Sequence, residues 1–187
     1  MRIISGSAKG RQIFAPKGQL TRPTQDRVRE SLFNILQGRV EGATVLDLFA
    51  GSGSLMLEAI SRGAEYAVAV DHASSAIACV KRNMTLLGFE DVIQVLSADW
   101  RQALKRLKEQ EKTFDLIFLD PPYAVTSSDV PLICEQLANN GLLQTDAWVV
   151  VEHLKGEIPI LSEAFFLRST RRYGETEISF FAYTDVI

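Results

Sequence analysis

A chain of 187 residues with 47% hydrophobic content and a net charge of −3 can bury one three-layer core and is short for two ordinary domains. No apolar stretch approaches the roughly 18 residues that span a bilayer, and Arg2, Lys9 and Arg11 occupy the region where a secretory leader needs an unbroken apolar segment. The expected setting is cytoplasmic, and since Cys79 and Cys134 fall in apolar helical stretches away from His72 and His153, no metal site is expected.

Ile3-Ile4 and Gln12-Ile13-Phe14, separated by Gly6 and Gly10, predict a short N-terminal hairpin arm. Pro16, Gly18 and Pro23 then break the chain before a helix capped by Thr24. Its apolar stripe is Val28, Leu32, Ile35 and Leu36, and Gly38 or Gly42 ends it. Residues 1–40 carry a formal charge of +6, which leaves −9 for the remainder. The arm would therefore attract a polyanion that the rest of the chain repels; a solvated basic face is the plainer alternative.

Beyond the arm, short continuous apolar runs at Thr44 to Leu48, Ala67 to Val70, Val92 to Leu96, Leu116 to Leu119 and Trp148 to Val151 suit strands buried on both faces. Helical stretches lie near Ser54 to Arg62, Ser74 to Leu87, Trp100 to Glu109 and Val130 to Ala138, several opening with Ser or Asp as caps. Phe165 to Arg171 and Ile178 to Tyr183, joined across Gly174, predict an antiparallel hairpin. The fold class is α/β: a mostly parallel seven-stranded sheet, helices on both faces, closed by that hairpin. Residues 1–187 read as a single domain in which residues 1–40 form a basic arm and helix.

The first strand runs into Asp47-Leu48-Phe49-Ala50-Gly51-Ser52-Gly53 and then a helix. Ligands of such sheets bind at the carboxyl ends of strands, so Asp47, Phe49, Gly51 and Gly53 are candidate cofactor contacts. The second strand ends at Asp71, 18 residues after Gly53, about the offset at which a carboxylate meets ribose hydroxyls. Met56 stands where the dinucleotide fingerprint has its third glycine, which disfavours a pyrophosphate. S-adenosyl-L-methionine, with a cationic sulfonium and no phosphate, suits a loop flanked by Asp47 better. Asp99 and Trp100 end the third strand where an adenine could be held; Trp100 could equally pack at a helix start.

Asp120-Pro121-Pro122-Tyr123 follows the buried run Leu116 to Leu119. An exocyclic amine is a poor nucleophile because its lone pair is delocalised into the ring. The Asp120 carboxylate and the Pro121 carbonyl can each accept one amine hydrogen and favour a pyramidal nitrogen. The prolines fix φ, and Tyr123 offers a face on which an extruded base can stack.

Together DLFAGSG, Asp71, Asp99 and DPPY resemble the class I Rossmann-like methyltransferases that modify amino groups. The arm MRIISGSAKGR, the segment TRPTQDRVRESLFNIL and the closing RRYGETEISFF are similar to the bacterial 16S ribosomal RNA guanine 2-amino methyltransferases of the RsmD type, over essentially the whole chain. The resemblance implies that Asp47, Gly51 and Gly53 line the methionine part of the cofactor, Asp71 the ribose and Asp99 the adenine, with Asp120, Pro121 and Tyr123 at the guanine. Arg22, Pro23 and Thr24 belong to a family signature near the site mouth. Arg2, Lys9, Arg11, Arg22, Thr24 and Pro122 are the candidate RNA contacts. The implied partner is small-subunit ribosomal RNA within a 30S particle, bound by a monomer. Asp71-His72 departs from the commoner Glu. DPPY alone leaves adenine and a protein glutamine amide open as acceptors. A non-catalytic assembly factor and an oxidoreductase are the rivals from other classes.

Overall fold

A computed structural model of the chain describes residues 1–16, 23–121 and 129–185, with the side chains of residues 23 and 24 left aside. Among them, α1 (Pro23–Ile35) precedes β1 (Thr44–Asp47), α2 (Ser54–Ser61), β2 (Tyr66–Asp71), α3 (Ser74–Leu87), a 3₁₀ turn (Glu90–Val92), β3 (Ile93–Ser97) and α4 (Trp100–Glu109). Then come β4 (Phe114–Leu119), α5 (Asp129–Asn139), β5 (Leu143–Leu154), β6 (Phe165–Tyr173) and β7 (Thr176–Tyr183). The strands form one sheet in the order β3-β2-β1-β4-β5-β7-β6. β1 to β5 are parallel, and β7 pairs antiparallel with both β5 and β6. This is the expected Rossmann-like methyltransferase architecture.

Alternation along each strand divides the apolar residues between two cores. Val45, Ala67, Ala69, Leu116, Phe118, Val150 and Phe180 meet Leu32 and Phe33 of α1, Leu36 just after it, Met56 and Leu57 of α2, and Val80 of α3. Leu46, Val68, Val70, Ile117, Leu119, Val149 and Val151 meet Leu104 and Leu107 of α4 and Ile133 and Leu137 of α5. Burying one such Leu, Val or Phe side chain contributes roughly 1.5–3 kcal/mol. Phe33 and Phe118, with ring centroids 5.9 Å apart, couple α1 to the middle of the sheet.

The arm is a hairpin closed by the Arg2–Gln12 bridge and held on α2 by polar groups. The Glu58 carboxylate, wholly buried, accepts the N–H groups of Ile4 (2.7 Å) and Ser5 (3.0 Å) and the Arg62 Nε–H (2.7 Å). Arg29 lies 3.7 Å from the same carboxylate and also bonds Asp26 and the Arg2 carbonyl. Gly6, at φ +82°, rests so close to α2 that a Cβ would sit 1.6 Å from the Ser61 carbonyl oxygen. Arg29 is 3% exposed, so one of the eight basic residues of the arm and first helix is neutralised internally and unavailable to a polyanion.

Several local expectations need correction. α1 begins at Pro23, one residue ahead of the expected cap, using the fixed φ of proline in its first turn. α2 and α3 start after Gly53 and Ala73 without a side-chain cap, so Ser54 and Ser74 are first helical residues. Asp99 does cap α4, accepting the N–H groups of Arg101 (2.9 Å) and Gln102 (3.2 Å). β5 starts five residues earlier than the apolar run at Trp148, because Gln144, Thr145 and Asp146 are exposed on a stretch whose pairing with β4 is irregular. β6 lies at the sheet edge with Phe166, Leu167, Arg168, Arg171 and Arg172 exposed.

Candidate active site at the carboxyl edge of the sheet

Four acidic residues stand at or near the carboxyl ends of four neighbouring strands. Asp47 pairs with Ala69 of β2 and Phe118 of β4, and Phe118 pairs with Val150 of β5. Asp71, Asp120 and Glu152 stand two residues beyond these partners. An even step keeps them on the face of Asp47, the one covered by α1, α2 and α3. Adjacent strands lie about 4.8 Å apart, so the carboxylates form a row across β2, β4 and β5 with Asp47 one level deeper.

Asp47 is 2% exposed. Burial first, then the charges of Asp120 and Asp71, push its carboxyl up to about 7, although backbone N–H groups of Met56 and Phe49 oppose the rise. Asp71 is tied to the loop that follows β1: one oxygen accepts the Gly51 N–H and the other the Ala73 N–H, each at 2.9 Å. His72, beside it, is largely exposed, with Nδ1 3.8 Å from the Asp71 carboxylate. Gly51 and Gly53 take φ values of +53° and +77°, a backbone region costly for side chains. They differ in surroundings. A Cβ on Gly53 would press on the Met56 side chain at 2.8 Å, whereas one on Gly51 would project into open space. The loop thus closes inward at Gly53 and stays open at Gly51.

Asp120 follows the last residue of β4 and is solvent-accessible, yet enough protein surrounds it that burial raises its carboxyl above the usual range. Glu152 is half-buried; burial and then the Asp120 charge raise its carboxyl too. Accessibility beside incomplete hydration is the electrostatics of a recessed edge. Pro121 is partly exposed next to Asp120.

The other candidates are spread more widely. Phe49 is partly buried against the core shared with α4 and α5. Trp100 is 6% exposed in that same core, with the Arg101 guanidinium 4.1 Å above its ring, while Asp99 is exposed at the head of α4. Arg2, Lys9 and Arg11 are exposed on the arm; Arg11 folds back so that its guanidinium donates to the Leu86 and Leu87 carbonyls at the end of α3. The expected roles of Arg22, Pro122 and Tyr123, and the side chain of Thr24, lie outside the described residues. Among the described residues no group of three or more His, Cys, Asp or Glu could hold a metal ion, and no helix is long and apolar enough to cross a membrane.

Two residues escaped the sequence reading. Glu152 follows Val149-Val150-Val151 as Asp71 and Asp120 follow their own apolar runs, and an acidic residue directly after a buried apolar run is the signal that finds it. Asn83 is wholly buried on the apolar side of α3. Its amide donates to the Ser52 carbonyl (2.9 Å) and the Phe14 carbonyl (3.0 Å) and accepts the Phe14 N–H (2.8 Å), joining the arm to the glycine loop. A polar residue on a helix stripe between Val80 and Leu87 marks it.

The family model described as "Conserved hypothetical protein 95" matches residues 1–182. The chain is 38% identical over 182 residues to the "Putative rRNA methyltransferase YlbH" of Bacillus subtilis, covering 97% of this chain and 98% of that one. It is 33% identical to the Ribosomal RNA small subunit methyltransferase D of Haemophilus influenzae, covering 93% and 89%. Among solved structures, the "Putative methyltransferase yhhF" of Escherichia coli superposes with a TM-score of 0.85 at 26% identity, covering 98% of each chain. With a family match over nearly its whole length, the chain belongs to the Conserved hypothetical protein 95 family, alongside relatives named as ribosomal RNA methyltransferases.

Proposed function

We propose that this chain transfers a methyl group from S-adenosyl-L-methionine to the exocyclic 2-amino group of a guanine in small-subunit ribosomal RNA. The observation that carries the reading is the Asp120 carboxylate, solvent-accessible at the end of β4, beside the buried, charge-starved carboxyl of Asp47. A buried carboxylate whose charged neighbours are other carboxylates, offset by two backbone N–H groups, is poorly served by its own protein, and a cationic ligand relieves that penalty. The open side of Gly51 leaves room for such a ligand against the backbone. The names of the relatives support ribosomal RNA as the substrate class.

Asp47 and Gly51 would hold the methionine portion and Asp71 the ribose; Asp71 uses one lone pair of each oxygen on the loop, which leaves acceptor capacity for hydroxyls. Bound there, the cofactor supplies an electrophilic methyl group. Asp120 and the Pro121 carbonyl accept the two hydrogens of the guanine amine and return its lone pair to nitrogen. Once nitrogen has gained its fourth bond, an N–H bond breaks, the electron pair stays on nitrogen, and Asp120 is the acceptor at hand. Tyr123 would stack on the extruded base. The exposed Arg2 and Lys9 of the arm would meet phosphates.

The test is transfer of a labelled methyl group to purified small subunits, protein-free ribosomal RNA, duplex DNA and protein, followed by nucleoside analysis. Label in 2-methylguanine from the small-subunit RNA is expected; label only in adenine or glutamine would replace the acceptor. Asp120→Ala should lower turnover at least about 10²-fold, the usual scale for a lost acid–base group, while cofactor affinity stays within a few-fold. Wild-type rates in that variant refute its role.

A further inference from the structure

We propose that Glu152 is a positioning residue for this reaction: its carboxylate, on the neighbouring strand, raises the proton affinity of Asp120, so that Asp120 is a ready acceptor for the proton the amine releases. The inference rests on the reading of Asp120 given above. Leu119 pairs with Val151, so the next residues, Asp120 and Glu152, are lateral neighbours at the end of two parallel strands and share one face. Two like charges at strand spacing on a recessed edge cannot both ionise cheaply. Such a pair retains one proton over a wide pH range and titrates in two steps belonging to the pair.

The described surroundings of Glu152 do not cancel its charge. Its antiparallel partner on β7 is Ile178, 2% exposed and uncharged, with Glu177 next along that strand. On β6 the same lateral row reaches Arg171, two strands from Glu152, exposed and bonded to the Thr170 carbonyl. His153, next on β5, belongs to the opposite face, where Nε2 meets the Ser179 hydroxyl at 2.8 Å. α1 adds Arg27 and Glu30, both exposed, and a Ser31 hydroxyl that accepts the Tyr173 O–H. From β1 comes only Asp47, another carboxylate. The nearest charged partner of Glu152 on the adjoining strands is therefore Asp120, in keeping with the rise that Asp120 causes in it.

No oxidant or further reactant is required. The proton leaving the methylated amine binds a carboxylate oxygen of Asp120, and one proton then departs from the pair to water, which restores the starting state.

The experiment is the pH profile of kcat/KM in E152Q, with E152D as the conservative control. A neutral amide removes the like charge, so Asp120 ionises more readily. The acidic limb should move down by roughly one pH unit or more, with E152D returning toward wild type. A second readout needs no substrate: carbon-detected NMR titration of the side-chain carboxyls. Wild type should show two coupled steps, E152Q a lower midpoint for Asp120, and D120N a lower midpoint for Glu152. A limb unmoved in folded E152Q, or two independent carboxyl titrations in wild type, overturns the proposal. Because the titration is read without turnover, failure to methylate guanine would sink the functional reading and leave the pairing separately decided.

Discussion

Glu58 and Asp47 are both buried carboxylates beneath the same face of the sheet, and the chain treats them oppositely. Around Glu58 every contact is a donor: two arm N–H groups, the Arg62 guanidinium and, farther off, that of Arg29. Around Asp47 the charges are those of Asp71 and Asp120, with two backbone N–H groups to offset them. The first arrangement fastens the arm to α2. The second leaves a charge uncompensated within the fold, which stability alone would not favour and which a cationic ligand would satisfy.

The contrast breaks most visibly at Glu58. Glu58→Ala strands buried N–H groups and guanidinium charge, so a loss of about 3–5 kcal/mol is expected, or roughly 10 °C in melting temperature at about 2–4 °C per kcal/mol. Thermal unfolding checks this, and a change below about 1 kcal/mol would mean the hub is ornamental. Asn83→Ala should follow at about 1–3 kcal/mol, the cost of leaving the Phe14 N–H unpaired and taking the amide donor from the Ser52 and Phe14 carbonyls. Urea titration measures it, with faster amide exchange at Phe14 as the local sign.

Asp47→Asn should show the smallest stability change and the opposite direction. The folded carboxyl is raised from 3.8 to about 7, so between those values the folded state binds more protons than the unfolded one. The contribution of Asp47 is complete at or below about pH 4, declines as pH rises and levels off above about 7. The amide avoids that decline. The variant should therefore equal or exceed wild type by on the order of 1 kcal/mol at pH 8, after its weaker backbone hydrogen bonds are counted. It should also bind S-adenosyl-L-methionine at least about tenfold more weakly, from loss of a charge-assisted contact. Denaturation at pH 5 and 8 with calorimetric binding tests both, and an Asn variant less stable than wild type at pH 8 contradicts the assignment.

Most of the frame is legible in the sequence because the physics that builds it is local. Val45-Leu46, Ala67 to Val70 and Leu116 to Leu119 are apolar on both faces and could only be interior strands. The acidic residues at or just after their ends, Asp47, Asp71 and Asp120, point to the carboxyl edge as the candidate site. What stays hidden depends on partners distant in the chain. Arg29 counts as part of a basic surface until Glu58, 29 residues later, is seen to enclose it. Ser54 looks like a cap until Gly53 takes the left-handed turn. The first half of β5 has no apolar pattern, because Gln144 to Asp146 extend past the core. Glu152 was readable by the rule that found Asp120, but its significance comes from the register of β4 with β5.

The outer border of the sheet carries a last implication. β6 offers nine residues of backbone with one flank unmatched among the described residues, the kind of template on which another extended chain can zip up. Arg168, Arg171 and Arg172 stud that ribbon, and the register slips between Leu167 and Ser169. Two copies laid border to border would bring like charges together along a crooked seam, so this flank discourages self-assembly despite the greasy Phe166 and Leu167 it displays.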